Sequence, residues 1–343
     1  MRSISIASGR GAMARCARGF AICGVAVLAA VAASLPTAGS ASAGASGASR
    51  PTSAHRHLAL AVTNQDWPAY LFAGRHPSTT TGPTAITLTN AGSLTAAWTF
   101  QEQPPTGTQP PGGFSASPTV AGGMVFIGSQ TGDFYALQES TGQVVWTQTL
   151  DYQQPGNNGN CKNARGIVGT ATVAADPQTG NPTVYVAGAR YLYALDAASG
   201  AQKWKSLVGP AGSETVLGAY FNYASPTVAN GHVYEGVSSS CDQPFVRGGV
   251  QSFSQQTGKL QHSFWTDPAG KVGASVWSSV GATKPYLSVT TGDPAFTGRP
   301  FTMRIPSCAW TQIRLHSAVH GDSVLRRRPT WISAVRQHSS TAR

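Results

Sequence analysis

The feature that most constrains the fold is a sequence unit that occurs three times. The three copies run 117–146, 169–204 and 225–265, and the first reads SPTVAGGMVFIGSQTGDFYALQESTGQVVW. Their turn glycines, Gly142, Gly200 and Gly258, are separated by 200 − 142 = 58 and 258 − 200 = 58 residues. A fixed interval of this size indicates one supersecondary unit used repeatedly.

Each unit divides into four short strands separated by turns. In the first copy the strands are predicted at 119–120, 124–128, 133–137 and 143–147. Gly122-Gly123 is a typical hairpin turn between the first two strands. The fourth strand of each copy ends at a tryptophan, which we assign to Trp146, Trp204 and Trp265. Four antiparallel strands per unit, repeated along the chain, are the blades of a β-propeller.

The number of copies predicts an all-β, incomplete β-propeller over 64–294. It holds three complete four-stranded antiparallel blades plus partial ones, because a fourth copy begins at 275 and stops at 292–294. Residues 94–100, with Trp98, are predicted as a strand that matches the last strand of a blade. Such a part of a ring leaves open blade edges, where unpaired strand groups and apolar side chains are expected.

The amino terminus has the pattern of a secretory signal peptide. Arginines between 2 and 18 precede an apolar run at 20–35, and Ala41-Ser42-Ala43 provides a small-residue cleavage site. We predict a signal peptide at 1–43 and a flexible linker at 44–63, both disordered. The expected location is secreted, extracellular or in the cell envelope. The alternative is an uncleaved anchor, although 16 apolar residues are short of the roughly 20 that span a bilayer.

The positive charge lies at the two ends of the chain. Residues 1–50 hold five arginines and no acid, and 295–343 hold eight arginines and one acid, whereas 51–294 hold 11 basic and 12 acidic residues. The repeat region therefore lacks the basic surface that nucleic acid requires. The segment 295–343 is predicted to be an irregular basic tail. Because the repeat pattern stops abruptly at Pro294, one hypothesis is out-of-frame translation, and a natural basic tail is the alternative.

The repeat resembles a known family at Tyr193-Ala194-Leu195-Asp196, Ser199-Gly200 and Trp204. These residues are similar to the repeats of pyrroloquinoline quinone (PQQ)-like β-propellers, and the resemblance covers about 67–294. The family includes quinoprotein alcohol dehydrogenases and non-enzymatic scaffolds of bacterial outer-membrane assembly. The resemblance implies a ring of seven or eight blades, of which this chain is a truncated part. It also implies PQQ with calcium as the cofactor to test.

Three residues are candidates for cofactor binding. Arg165 and Arg247 each precede a glycine and follow a cysteine, so they could grip an anionic or quinone ligand at one face. Trp277 could form a flat stacking surface, as tryptophans do near quinone cofactors in the resembled family. The structural alternatives are that the arginines stack on aromatic rings or bond loop carbonyls, and that Trp277 packs within its blade.

Cys161 and Cys241 are the cysteines of the exported repeat region. Export permits a structural disulfide between them, and two free thiols are the alternative. No catalytic or metal-ligating residue is predicted, since no C-x-x-C-H haem site and no nucleophile–base arrangement occur. The catalytic base and calcium ligands of a quinoprotein dehydrogenase cannot be assigned to any residue.

These observations leave the enzymatic status open between two functions. The first is an exported, non-catalytic binding or scaffold module for a protein or polymer ligand, held at the loop face or at open blade edges. The second is a truncated, PQQ-dependent alcohol dehydrogenase-like enzyme. A chain that does not fold stably is a third outcome. A membrane partner is expected only through an uncleaved signal segment.

Overall fold

Short antiparallel strands make up nearly all the regular structure. The computed structural model describes residues 3–7, 66–80, 85–102, 113–153, 166–215, 218–242, 244–292 and 310–314. These all belong to one compact unit formed by 1–9 and 58–343. Most of the predicted signal peptide and the whole of the predicted linker lie outside the described residues. Within the described part, no helix is long and apolar enough to span a membrane.

The strands form three complete blades, which confirms the propeller-type fold. Outside these blades, β1 (Ser3–Ala7) pairs with β2 (Ala96–Gln101). Blade 1 contains β3 (Thr119–Ala121), β4 (Met124–Gly128), β5 (Asp133–Gln138) and β6 (Val144–Thr149). Blade 2 contains β7 (Thr172–Ala175), β8 (Pro182–Ala187), β9 (Tyr191–Asp196) and β10 (Gln202–Leu207). Blade 3 contains β11 (Thr227–Ala229), β12 (His232–Val237), β13 (Gly249–Ser254) and β14 (Leu260–Trp265).

Blade 4 is partial, as expected, but its third strand differs from expectation. It contains β15 (Gly281–Thr283), β16 (Tyr286–Thr290) and β17 (Trp310–Arg314), in that order across the sheet. The last strand falls within the segment that we predicted to be an irregular tail, so that prediction is wrong for these five residues. The physical reason is that β16 offers a row of backbone groups to any extended segment. The rest of the tail lies outside the described residues.

The hydrophobic core lies between the blades rather than within one of them. Along β4, Phe126 points toward blade 2 and packs near Val184 and Val186, whereas Val125 and Ile127 point away, toward β2. Both faces of a blade are therefore buried, although successive side chains alternate between them. This explains why the strands appear in the sequence as short continuous apolar runs.

A tryptophan on the last strand of one unit docks on the glycine turn of the next. The indole Nε1 donates to a carbonyl three residues before that glycine: Trp98 to Glu139 (2.7 Å), Trp146 to Ala197 (3.0 Å) and Trp204 to Gln255 (3.1 Å). The indole rings lie so close that a Cβ on Gly142, Gly200 or Gly258 would come within 2.5–2.7 Å of them. These glycines also have φ of +71° to +74°. Both the close approach of the indole and the positive φ therefore require glycine at these positions. Because each glycine receives the tryptophan of the preceding unit, this contact accounts for the fixed interval between the turn glycines.

The third blade departs from this rule. In β14 it is His262 that pairs with Ser252, as Trp204 pairs with Ala194 in blade 2. Trp265 lies three residues further on and pairs with Gly249. The assignment of Trp265 as the equivalent of Trp204 is therefore wrong. The interval of 265 − 204 = 61 residues, against 58 for the turn glycines, was the sign of the shift.

The inner strands are linked from blade to blade by hydroxyl groups. Each donates to a carbonyl of the following blade at 2.6 Å: Thr119 to Ala171, Thr172 to Pro226 and Thr227 to Val280. Residues 66–76 cross the inner edge of the same strands. Their carbonyls accept from inner-strand amides, with Val120 bonded to Trp67 (3.0 Å), Val173 to Pro68 (2.7 Å) and Ala282 to Gly74 (2.7 Å). The segment therefore ties blades 1, 2 and 4 together.

Candidate ligand site at the loop face

One end of the blades carries longer connections than the other. It includes the connections between the second and third strands and those between successive blades, and we call it the loop face. The connection between the second and third strands spans only 188–190 in blade 2, but it spans 238–248 in blade 3. This longer loop lies against the 266–280 connection between blades 3 and 4. The loop face is therefore most elaborated at blades 3 and 4.

Backbone hydrogen bonds fix the two loops to each other. Gly248 donates to Gly273 (2.9 Å), Gly273 donates to Val246 (2.8 Å), and Val276 donates to Val237 at the end of β12 (3.1 Å). The approach is close, because a Cβ on Gly248 would lie 2.1 Å from the carbonyl oxygen of Ala274. These contacts hold the loops as a defined surface.

Two serine hydroxyls reinforce the same contact from inside. The Ser239 and Ser275 Oγ atoms lie 3.0 Å apart, and the Ser239 amide donates to Ser275 Oγ (3.0 Å). Ser239 Oγ in turn accepts from the Val246 amide (2.9 Å). Both serines are buried. They satisfy each other and the backbone, which suits a positioning role better than nucleophilic chemistry, because a nucleophilic serine needs a base beside its hydroxyl.

Three apolar side chains project from these loops into solvent. Phe245 is 41% exposed, Val272 is 40% exposed and Trp277 is 56% exposed. The parallel bridge between Arg247 and Gly273 brings the chain around Phe245 beside that around Val272. We call these three residues the loop-face patch. Trp277 was singled out from the sequence, whereas Phe245 and Val272 were missed, and the length of the 238–248 loop was the only signal for them.

Arg247 stacks on an aromatic ring and bonds a loop carbonyl, which is the structural alternative to ligand binding. Its guanidinium carbon lies 5.1 Å from the ring centroid of Trp265, and its Nε donates to the Asp267 carbonyl at 2.8 Å. One face of the guanidinium thus packs on Trp265, and one edge holds the loop backbone. The other predicted arginine, Arg165, lies outside the described residues. Convergence of the two arginines on a ligand therefore stays a prediction.

Cys241 lies in the same long loop, beside an aromatic pair. The Tyr223 hydroxyl is 3.3 Å from Cys241 Sγ, and the rings of Phe221 and Tyr223 are 4.6 Å apart. Burial raises the pKa of Tyr223, so its hydroxyl stays protonated. Cys241 has the state of a disulfide-bonded cysteine. The predicted partner, Cys161, lies outside the described residues, so the pairing stays a prediction.

An ion pair holds the loop face between blades 1 and 2. Asp151 Oδ2 accepts from the Arg190 amide at 2.5 Å and lies 3.6 Å from Arg190 Nε. The Tyr193 hydroxyl also lies 3.1 Å from the Asp151 amide. Burial raises the pKa of Asp151, and the contacts with Arg190 and Tyr193 act in the opposite direction. This carboxylate therefore holds the turn after β8 in place.

The described residues do not fit a site for PQQ with calcium. Calcium takes six to eight oxygen ligands, among them carboxylates, but no three His, Cys, Asp or Glu side chains of the described part lie together. Arg247 faces Trp265, and Trp277 projects outward. We therefore derive no chemical step through this cofactor from the described residues.

Comparison with known proteins identifies the repeat region. A family model described as the β-propeller domain of glucose, ethanol and alcohol dehydrogenases matches residues 81–291. The dehydrogenase subunit of a quinone alcohol dehydrogenase of Gluconobacter oxydans is 28% identical over 186 residues, which is 53% of this chain and 22% of that protein. The chain thus spans about a fifth of the length of this curated relative.

One of two similar solved structures supports the fold. The quinohemoprotein alcohol dehydrogenase of Comamonas testosteroni has a TM-score of 0.50 and 20% identity, covering 67% of this chain and 35% of that one. BamB of Moraxella catarrhalis has a TM-score of 0.41 and 18% identity, covering 69% of this chain and 65% of that one. At such identities the first match shows the fold alone.

Proposed function

Since the chain belongs to the family of the glucose, ethanol and alcohol dehydrogenase β-propeller domain, we propose that it is an exported, non-catalytic module that binds a macromolecular ligand at the loop-face patch. The observation that carries the proposal is the exposure of Phe245, Val272 and Trp277 on loops that are otherwise tightly bonded. Exposed apolar groups gathered on one surface are typical of interaction sites. Large aromatic side chains supply much of the binding energy of such sites.

The surroundings of the patch support binding rather than catalysis. Ser239 and Ser275 are buried and bonded to each other, and Arg247 stacks on Trp265. What remain at the surface are three apolar side chains on loops whose backbones are bonded to each other. Side chains on such loops bind a partner at little entropic cost, because few groups have to be ordered. The nearly neutral repeat region argues for a protein or uncharged polymer rather than nucleic acid.

Site-specific photo-crosslinking tests this proposal. A photo-reactive phenylalanine analogue is placed at position 245 or 277 of the full chain, and at 260 as a control. Leu260 is a suitable control because it is 44% exposed but lies on β14, away from the loop face. After illumination in the producing culture, we expect macromolecular adducts from positions 245 and 277 at least tenfold above those from 260. Equal yields at all three positions would contradict the proposal.

Export is part of the same proposal and has its own test. The support is the arginine-rich start, the apolar run at 20–35 and the small residues at 41–43. Mass spectrometry of the protein from the culture medium and the envelope should find a mature chain that begins at Gly44. Recovery of the intact chain from the cytoplasm alone would overturn it.

A PQQ-dependent alcohol dehydrogenase-like enzyme is the second candidate, and the family match together with the quinone alcohol dehydrogenase relative favours it. When bound, PQQ would supply the redox chemistry, with Arg165, Arg247 and Trp277 as the residues to hold it. Tryptophan fluorescence during titration with PQQ and Ca²⁺ separates the two functions. Micromolar binding that is lost in Trp277→Ala, together with dye-linked alcohol oxidation, would favour the enzyme. We expect neither.

A further inference from the structure

Strand β2 has the features of the last strand of a blade. Trp98 docks on the turn of blade 1, as Trp146 and Trp204 dock on the turns of blades 2 and 3. The pairing of β2 with β1 also repeats an irregularity of blades 1 and 2. The tryptophan pairs with one residue of the neighbouring strand, and the residue two positions before it pairs with the following one. Because that neighbour is the third strand in blades 1 and 2, β1 occupies the third-strand position beside β2.

Blade 4 is the counterpart of β2. Its described strands are β15, β16 and β17, and no described strand pairs with the outer edge of β17. Gln312 pairs with Ser288 as Ala136 pairs with Phe126 in blade 1, and both second-strand residues lie opposite the first residue of their blade. Since Ala136 is also the residue opposite Trp146, Gln312 stands where the tryptophan of a fourth strand would pair. An open edge of this kind accepts an added strand.

A row of hydrogen bonds between the blades ends in two matching groups. An amide before each inner strand donates to a hydroxyl at the same position of the next blade: Ser117 to Thr170 (3.2 Å), Thr170 to Ser225 (2.9 Å) and Ser225 to Ser279 (2.9 Å). Within the described residues, the exposed Ser117 hydroxyl receives no such amide, and the Ser279 amide reaches no such hydroxyl. The first and last members of the row therefore complement each other.

We propose that a second copy of this chain is the partner of both ends. β2 of each copy pairs with β17 of the other, with Trp98 opposite Gln312, and the Ser279 amide of one copy donates to the Ser117 hydroxyl of the other. Two copies related by a twofold axis then hold eight blades, three complete ones from each and two shared, within the roughly four to eight typical of propellers. Gly281 stands where the other inner strands have a threonine that donates to the next blade, so the association is expected to be reversible.

The inference rests on the export part of the proposed function, because β1 lies within the segment 1–43 that export would remove. While β1 is present, it covers the edge of β2 that the partner strand needs. Its removal would thus couple export to assembly. We expect the full chain to be monomeric and the mature chain to be dimeric.

Mixing two single-cysteine variants tests the strand pairing. In the proposed register Thr99 stands opposite Thr311, so mature chains with Thr99→Cys are mixed with mature chains with Thr311→Cys and oxidised. A disulfide between these positions can join only two copies, and mass spectrometry of the linked peptides identifies it. We expect at least tenfold more of it than when Leu260→Cys, on the outer strand β14, replaces Thr99→Cys. A disulfide that forms only within single chains carrying both substitutions would overturn the proposal.

Light scattering at rising protein concentration measures the association itself. The mature chain should approach twice the mass of one chain. Ser117→Ala should weaken the association at least fivefold, because two hydrogen bonds are lost in each dimer. Ser199→Ala, on an exposed turn of blade 2, serves as the control and should leave it unchanged. A mature chain that stays monomeric would overturn the proposal.

A second variant separates this proposal from export. Ile4→Pro with Ser5→Pro in the full chain disrupts the pairing of β1, because proline cannot donate to a strand ladder. This variant should dimerise even when residues 1–43 are retained. Retention of these residues in the exported protein would contradict export alone, whereas a monomeric proline variant would contradict the assembly.

Discussion

Blades 2 and 3 have the same strand order and pairing, yet they are stabilised differently. Blade 2 places Trp204, Lys203 and Val186 at three equivalent positions where blade 3 places His262, Gln261 and Glu235. In blade 2 these groups dock on the next blade, bond Asp176 and fill the core. The comparison teaches that the backbone of a blade survives the loss of its characteristic side chains.

The largest chemical difference between the two blades is at Glu235, which occupies the position of Val186. It is fully buried, and neither carboxylate oxygen has a hydrogen-bond partner in the described part of the chain. Burial raises the pKa of Glu235 well above its ordinary value, against a smaller effect of the Gly236 backbone. Its neighbours on this face, Val233 and Val237, belong to the apolar core between blades 2 and 3. The side chain is therefore held as a neutral acid in an apolar environment.

The largest expected effect is at Trp204. Trp204→Ala removes a side chain that is 91% buried, its hydrogen bond to Gln255 and its contact with Gly258. We expect the free energy of unfolding to fall by about 3–5 kcal/mol, as for other buried tryptophans. Urea unfolding followed by fluorescence measures it.

The matched variant in blade 3 is His262→Ala. Because His262 is exposed on β14, we expect less than about 1 kcal/mol of destabilisation. Equal losses for Trp204→Ala and His262→Ala would break the comparison between the two blades.

Glu235→Val, which introduces the residue of blade 2, should stabilise the protein. An unpaired buried polar group costs about 1–3 kcal/mol, so a gain of that size is expected at pH 7. The native state holds a proton that the unfolded chain releases above about pH 4.3. Stability should therefore fall as pH rises from there toward the raised pKa, by at most about 1.4 kcal/mol per pH unit.

The control for this titration is Glu235→Gln, which keeps the shape but cannot ionise. Denaturant titrations between pH 4 and 8 should show that this variant loses the downward slope of the unmodified protein. If the two slopes coincide, Glu235 does not stay protonated in the folded state.

The smallest expected effect concerns the ion pair of blade 2. Burial alone would raise the pKa of Asp176. Hydrogen bonds from Lys203, Thr179 and Gln178 outweigh it and lower this pKa to about 2. The Lys203 Nζ–Asp176 Oδ2 distance is 2.8 Å. Asp176→Asn should cost about 0.5–1 kcal/mol at pH 7, as a largely superficial pair does.

The pH dependence of this loss has the opposite sign to that of Glu235. The contribution of Asp176 is complete above its unfolded pKa of 3.8 and is lost as pH falls through about 2. Thermal unfolding should show a clearly smaller difference between Asp176→Asn and the unmodified chain at pH 2.5 than at pH 7. A difference that persists unchanged at pH 2.5 would exclude the ion pair as its cause.

The repeat sequence predicted the blades well because it encodes local contacts. The glycine at the turn and the tryptophan on the last strand follow from one docking contact, so their interval reveals the architecture. Side-chain exchanges within a preserved backbone were harder to detect. The equivalence of His262 and Trp204 was missed because a nearby tryptophan, Trp265, offered a false match. Glu235 was overlooked because only strand pairing shows that it replaces Val186.

The candidate site was predicted less completely than the fold. Trp277 could be selected from its residue type, but the exposure of Phe245 and Val272 depends on how two loops bond to each other. The stacking of Arg247 on Trp265 likewise depends on contacts between segments distant in sequence. Such contacts leave no periodic pattern, because each occurs only once in the chain.

Hydrogen exchange of the two outer strands tests the central difference between blades 2 and 3 most directly. If docking of Trp204 holds β10 in place, amides at 202–204 should exchange at least about tenfold more slowly than those at 260–262 of β14. Trp204→Ala should remove this advantage. Equal exchange of the two strands in the unmodified protein would contradict the account.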